Sequence, residues 1–177
     1  MNEPAPKMPP PDLEVDVAEP SGLWTETLPG ARGLCRDAAR AAYHANAGDH
    51  PDAEVSIVLA DDEFVRRLNR DYRDQDRATN VLSFPAGPGG QPENAIRLLG
   101  DIVVAYETAA GEAASEGKTL GDHLCHLVVH GMLHLLAHGH RTAPAAKAME
   151  KLEIDVLAGL GIASPYEDGP PQNDQSR

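Results

Sequence analysis

Six of the eight histidines fall between residues 123 and 140, in the string HLCHLVVHGMLHLLAHGH. Imidazole at that density suits a divalent metal ion. His130 and His134 are four positions apart, so a helix sets both rings on one face, one turn from each other, within reach of a shared ion. A third donor from the same straight helix is out of reach, because a residue eight positions on lies about 12 Å further along the axis. The chain must turn back. Gly139 is a place for that reversal and His140 follows it, at the i+10 offset zinc hydrolases use when a third histidine folds over the end of the helix. The triad read from the sequence is His130, His134 and His140, with His138 as the rival to His140. His123, His126 and His138 are expected at the surface or supporting the ligands. An i, i+4 histidine pair alone is often packing; the third histidine, and a leucine-rich face (Leu127, Met132, Leu133, Leu135, Leu136) left to bury the helix, favour the metal.

In zinc peptidases of the H-E-x-x-H type, the residue after the first histidine is the glutamate that takes a proton from the attacking water. Here that residue is Gly131. A peptidase reading thus lacks its general base, whereas three neutral ligands leave a divalent ion its full charge, suited to an anionic substrate such as a phosphodiester.

The elements that must carry these residues follow from periodicity. Leu13, Val15 and Val17 alternate with acids as an edge strand, and Val55, Ile57 and Leu59 form a second strand. TNVLSFP and residues 98–105 make two more, separated by a Pro- and Gly-rich loop. Helical spacing covers about 30–47, a helix after an Asp61 or Asp62 cap, and then 106–116, 120–137 and 144–159, with Thr119 and Asp122 arranged as a cap. Strands come early and helices late. The fold class is therefore α+β: a small mixed four-stranded sheet with helices packed on it and the metal site at the end of a helix in the C-terminal half. Residues 1–11 and 165–177 are Pro-rich or polar and read as disordered tails around a single domain of residues 12–164.

Three ordered segments resemble the YbeY family of bacterial metal-dependent endoribonucleases: HGMLHLLAHGH (130–140), similar to the family's H-G-x-L-H-L-x-G-x-D-H, LNRDYRDQDRATNVLSFP (68–85) and LLGDIVVA (98–105). The resemblance is close over about residues 54–140. It implies a single-strand-specific endoribonuclease that matures the 3' end of 16S ribosomal RNA and takes part in ribosome quality control, with one Zn2+ per chain on His130, His134 and His140. It also implies Arg73 as a catalytic arginine in the cleft, and as partners ribosomal RNA and the small ribosomal subunit with its proteins, not DNA or a membrane. The family's second glycine is Ala137 here, its aspartate is Gly139, and its proline before TNVLSFP is Ala78; losing the aspartate removes an acceptor for a ligand imidazole. Without the resemblance, Arg73 reads as a surface arginine paired with Asp71 or Asp74. Thr79, Asn80 and Ser83 are of the type to bond an RNA backbone, and Asp101 is either an acceptor behind a ligand or a solvated acid.

The chain of 177 residues, 41% of them apolar, is sized for one core. No apolar run suggests a membrane span or a signal peptide. Two cysteines, Cys35 and Cys125, make no disulfide framework, so a cytoplasmic setting is expected. The net charge of -13 repels polyanions, which disfavours a nonspecific nucleic-acid binder. Residues 66–77 run against that average, with five arginines against three aspartates. The rival readings are a ribosome-assembly factor with a structural metal, and a metallopeptidase whose acid comes from elsewhere in the chain.

Overall fold

In the computed structural model, which describes residues 12–46, 52–87, 96–136 and 143–166, the alternating segments pair into one mixed sheet. β1 (Leu13–Ala18), β2 (Ala53–Ala60), β3 (Val81–Pro85) and β4 (Arg97–Ala105) lie in the order β1-β2-β4-β3. β1 and β4 run parallel to β2, and β3 is antiparallel to β4, so β1 and β3 are the edges. Parallel neighbours need a crossover. α1 (Leu23–Thr27) and α2 (Ala31–Ala45) supply it between β1 and β2, α3 (Asp62–Arg73) follows β2, and α4 (Tyr106–Glu116), α5 (Leu120–Leu135) and α6 (Ala143–Gly159) follow β4. The α+β class and the four-stranded mixed sheet agree with the order of elements in the sequence.

The two sheet faces are covered unequally. Val15, Ile57, Ile102 and Val104 point to the face packed by α2 and α5, where the main core lies. The opposite face holds only a small cluster under α3, with Val65, Leu82, Val103 and Ala105 buried and Phe64, Leu68 and Phe84 packed against it. Gly100 is required between β3 and β4. Its φ is +136°, and a Cβ there would stand 2.1 Å from the carbonyl oxygen of Phe84, so no other residue fits.

Local signals placed the longer helices. Asp61 Oδ1 accepts from Phe64 N at 2.8 Å to start α3, and Thr119 Oγ1 accepts from Asp122 N at 3.1 Å to start α5. α1 was not expected. Five residues have no helical stability of their own, and this turn is held by Trp24, which is fully buried, donates Nε1–H to the Ala60 carbonyl at 3.0 Å and meets Tyr106 edge-on. No described helix is long and apolar enough to cross a membrane. The segments read as tails lie outside the described residues apart from Pro165 and Tyr166, and Tyr166 departs from that reading because its hydroxyl donates to Glu153 on α6.

Candidate metal centre

α5 is central enough that its polar positions stand out by exposure. From His123 to Leu136 every residue is buried except His126, His130 and His134, which form a half-buried stripe at four-residue spacing. The leucine-rich face of Leu127, Met132, Leu133, Leu135 and Leu136 is buried as expected, and Leu124, Val128 and Val129 are buried with it, so burial extends around the helix except along the histidine stripe. His130 Nε2 and His134 Nε2 face each other at 2.9 Å. On the other side of its ring, His130 Nδ1 bonds Glu153 Oε1, and His126 Nε2 lies 3.3 Å from Glu153 Oε2.

Glu153 organises this arrangement. It is 0% exposed and stands on the apolar stripe of α6 between Met149 and Leu157. Burial alone would raise its pKa, but hydrogen bonds from His126, His130 and Tyr166 outweigh it and hold the carboxyl down at about 2. An ionised Glu153 only accepts, so His130 carries its proton on Nδ1 and presents the Nε2 lone pair towards His134. Two ring nitrogens at 2.9 Å need a proton or a cation between them, and a carboxylate behind one ring is the support metal-binding histidines use. The donor set therefore fits a divalent ion. The signal for Glu153 in the sequence was a charged residue at a core position of an otherwise regular helix, and sequence reasoning missed it.

His126, His130 and Glu153 also form a group able to hold a metal, with one donor atom from each lying within 4.8 Å of the other two. That grouping uses the Nδ1 side of His130, where Glu153 is inaccessible to solvent. The Nε2 side instead opens on a cleft of about 340 Å³ lined by His130, His134, Arg73, Asn80, Ser83 and Pro85, among others. An ion on that side faces this cleft directly. His140 and His138 lie outside the described residues.

The facing wall of the cleft is built by β3. Arg73, in the last turn of α3, donates Nη2–H to the Ser83 carbonyl at 2.9 Å and lies over the Phe84 ring at 5.4 Å. It pairs with neither Asp71 nor Asp74, because the helix ends at Asp74 and the side chain is directed across to β3. Asn80 holds the start of β3 to two helices: its Nδ2 donates to both carboxylate oxygens of Glu112, at 3.1 and 3.3 Å, and Glu112 Oε1 also bonds His123 Nε2 at 3.1 Å. His123 is therefore a buried strut, not a surface residue. Thr79 is not among the cleft residues. Asp101 supports no imidazole among the described residues, since it sits exposed on the sheet face opposite His130 and His134. Cys125 is buried in the core, its thiol pushed up to about 11 by desolvation, which keeps it protonated and a poor ligand.

Gly131 explains why no catalytic glutamate follows the first histidine. A Cβ at that position would lie 3.0 Å from Ile102 Cγ2 and 3.1 Å from Ser83 Oγ, which itself donates to the Gly131 carbonyl at 3.3 Å. The position faces the sheet, not the cleft. Gly131→Glu, which recreates the peptidase pattern, is expected to lower stability by about 3 kcal/mol or more through overpacking and a buried unpaired charge, without peptidase activity. A urea midpoint and a casein digestion assay check both halves.

A family model described as Endoribonuclease YbeY matches residues 32–161. Two proteins of that name are similar over most of the chain. The one from Paramagnetospirillum magneticum is 48% identical over 164 residues, covering 87% of this chain and 96% of its own length. The one from Azorhizobium caulinodans is 47% identical over 156 residues, covering 87% and 96%. Among solved structures, the solution structure of TM1509 from Thermotoga maritima matches with a TM-score of 0.49 and 22% identity, over 90% of this chain and 97% of that one.

Proposed function

The chain belongs to the YbeY family of endoribonucleases, and from that membership we propose that it hydrolyses phosphodiester bonds in single-stranded RNA, acting in the cytoplasm on the 3' end of 16S ribosomal RNA and in ribosome quality control. The metal is Zn2+, held by His130 and His134 with His140 as third donor, the last from sequence spacing. The observation that carries the reading is the pair of imidazole Nε2 atoms 2.9 Å apart on one wall of a cleft whose other wall presents Arg73.

A divalent ion bound there supplies positive charge to polarise the scissile phosphate and to acidify water at neutral pH. The protein's own groups set up the rest. Glu153 fixes the His130 tautomer, so that a lone pair faces the cleft. Arg73 is aimed by its bond to Ser83, and its guanidinium has donors to spare for two phosphate oxygens. Asn80, held by Glu112, keeps β3 at the distance from α5 that the cleft requires.

Arg73→Glu is expected to keep the metal and lose RNA cleavage by at least 100-fold, while Arg73→Lys recovers part of it, since an ammonium cannot make the planar two-donor contact. Metal content by elemental analysis beside initial cleavage rates checks this. The net charge of -13 predicts weak intrinsic RNA affinity, consistent with delivery by a protein of the small ribosomal subunit. The deciding experiment incubates the purified chain with single-stranded RNA and with unfolded protein, each with and without chelator. Cleavage of RNA alone, lost with chelator, supports the reading; cleavage of RNA undiminished by metal removal overturns its mechanism.

A further inference from the structure

The chain that follows α6 folds back onto the helices. α6 ends in a Schellman turn: Ile162 N donates to the Leu157 carbonyl at 2.9 Å and Gly161 N to the Ala158 carbonyl at 3.0 Å, with Gly161 at φ +78°. Glycine takes that left-handed conformation without strain, and the chain reverses there. Tyr166 then reaches both helices. Its hydroxyl donates to Glu153 Oε2 on α6, and its ring meets the His126 ring of α5 edge-on at 5.9 Å. Between the turn and Tyr166 lies a hollow of about 200 Å³, with Ile162, Ser164 and Pro165 on one side and Asp122 and His126 of α5 on the other. The segment is a strap, fixed at the Gly161 turn and at Tyr166 and loosely packed between them.

What Tyr166 grips is the carboxylate behind the histidine pair. Glu153 Oε1 takes the Nδ1 proton of His130, while Oε2 is shared between the Tyr166 hydroxyl and His126 Nε2, the latter at 3.3 Å. Two histidines thus compete for one carboxylate. His126 Nδ1 is buried without a hydrogen-bond partner among the described residues, so Glu153 is where that ring makes its polar contact. Its bond is long, and a turn of the carboxylate towards His126 would shorten it. The same turn takes Oε1 away from His130, whose proton is then no longer required on Nδ1. A proton moved to Nε2 removes the lone pair that faces His134 and the cleft. The hydroxyl of Tyr166 opposes that turn by holding Oε2 from the other side.

We propose that Tyr166 is a positioning residue of the metal centre: its hydroxyl clamps Glu153 so that Oε1 stays on His130 and the Nε2 lone pair stays turned to the cleft. This role rests on the metal centre proposed above and is independent of the substrate.

The test titrates Zn2+ into the metal-free full chain against a chromophoric chelator, with no RNA present. Tyr166→Phe removes the hydroxyl and keeps the ring beside His126, at a position 42% exposed where the fold survives. It is expected to weaken Zn2+ binding roughly three- to tenfold, less than the loss typical when a direct support of a ligand is removed. On a Glu153→Ala background the same change should add nothing, because the acceptor is already gone. Heteronuclear NMR of the histidine rings in the metal-free protein reads the cause and needs no second substitution. His130 is expected as the Nδ1–H tautomer in the wild type and with added Nε2–H in Tyr166→Phe. Unchanged or tighter Zn2+ binding in Tyr166→Phe overturns the role, as do equal losses on the two backgrounds. So does a lower thermal midpoint with the tautomer unmoved, since the hydroxyl then only ties down the strap. If the wild type binds no Zn2+, the metal centre itself fails and this role falls with it.

Discussion

His134→Ala is expected to lose metal and RNA cleavage together, and His126→Ala to keep most of both. The contrast follows from the two sides of the His130 ring. Its Nε2 meets His134 Nε2 at 2.9 Å in the open cleft, while its Nδ1 meets Glu153, which also bonds His126. If the ion sits on the cleft side, His134 is a direct donor, and its removal exceeds the roughly 10–100-fold loss in affinity typical of a residue that only supports a ligand. His126 then touches the ion only through the Glu153 carboxylate. If the ion sits among His126, His130 and Glu153, the two results exchange. Elemental analysis after gel filtration, run beside a cleavage assay, reads the difference. Metal retained by His134→Ala at the wild-type ratio would reject the cleft site. Because His134 is only half buried, its truncation leaves the fold intact and the outcome interpretable.

The parts of this site visible in the sequence are those set by short-range periodicity. His130 and His134 are adjacent because four residues make about one helical turn, and the flanking apolar residues and the Thr119 cap were enough to define α5. The strands showed in the alternation of Leu13 to Val17 and of Val55 to Leu59. Distant pairings were not visible. Nothing local says that β4 inserts between β2 and β3, yet that order makes β3 an edge and opens the cleft beside it. α1 depends on Trp24 reaching the Ala60 carbonyl, a contact 36 residues away. Arg73 presented two nearby aspartates as obvious partners, but the helix terminus turns it towards Ser83 instead. Gly131 looked informative only as a missing glutamate; in the structure it is where α5 packs closely on Ile102 and Ser83. Asp101, also legible as an acid near a conspicuous motif, fell on the wrong sheet face because strand parity cannot say which face the histidines occupy.

Glu153→Ala is expected to destabilise the protein by about 1–3 kcal/mol, because it leaves the half-buried ring N–H groups of His126 and His130 without their acceptor, while the hydroxyl of the exposed Tyr166 turns to water. Glu153→Gln, close in shape, should fold and reveal the electrostatic role separately. An amide donates as well as accepts, so it no longer requires the proton of His130 to sit on Nδ1. Metal affinity should then fall by roughly 10–100-fold. A residue that only filled space would not move metal affinity while leaving the fold intact, so the two readouts together separate support from packing. Acidity gives a third measure. The folded carboxyl is held at about 2 against an ordinary value of 4.5. Its contribution is therefore full above about pH 4.5 and is lost as pH falls towards 2, since the unfolded chain takes up the proton first. Urea midpoints of the metal-free wild type should drop through that window more steeply than those of Glu153→Gln. Parallel curves would mean that Glu153 is not the ionised centre of the cluster, and the tautomer assigned to His130 would lose its basis.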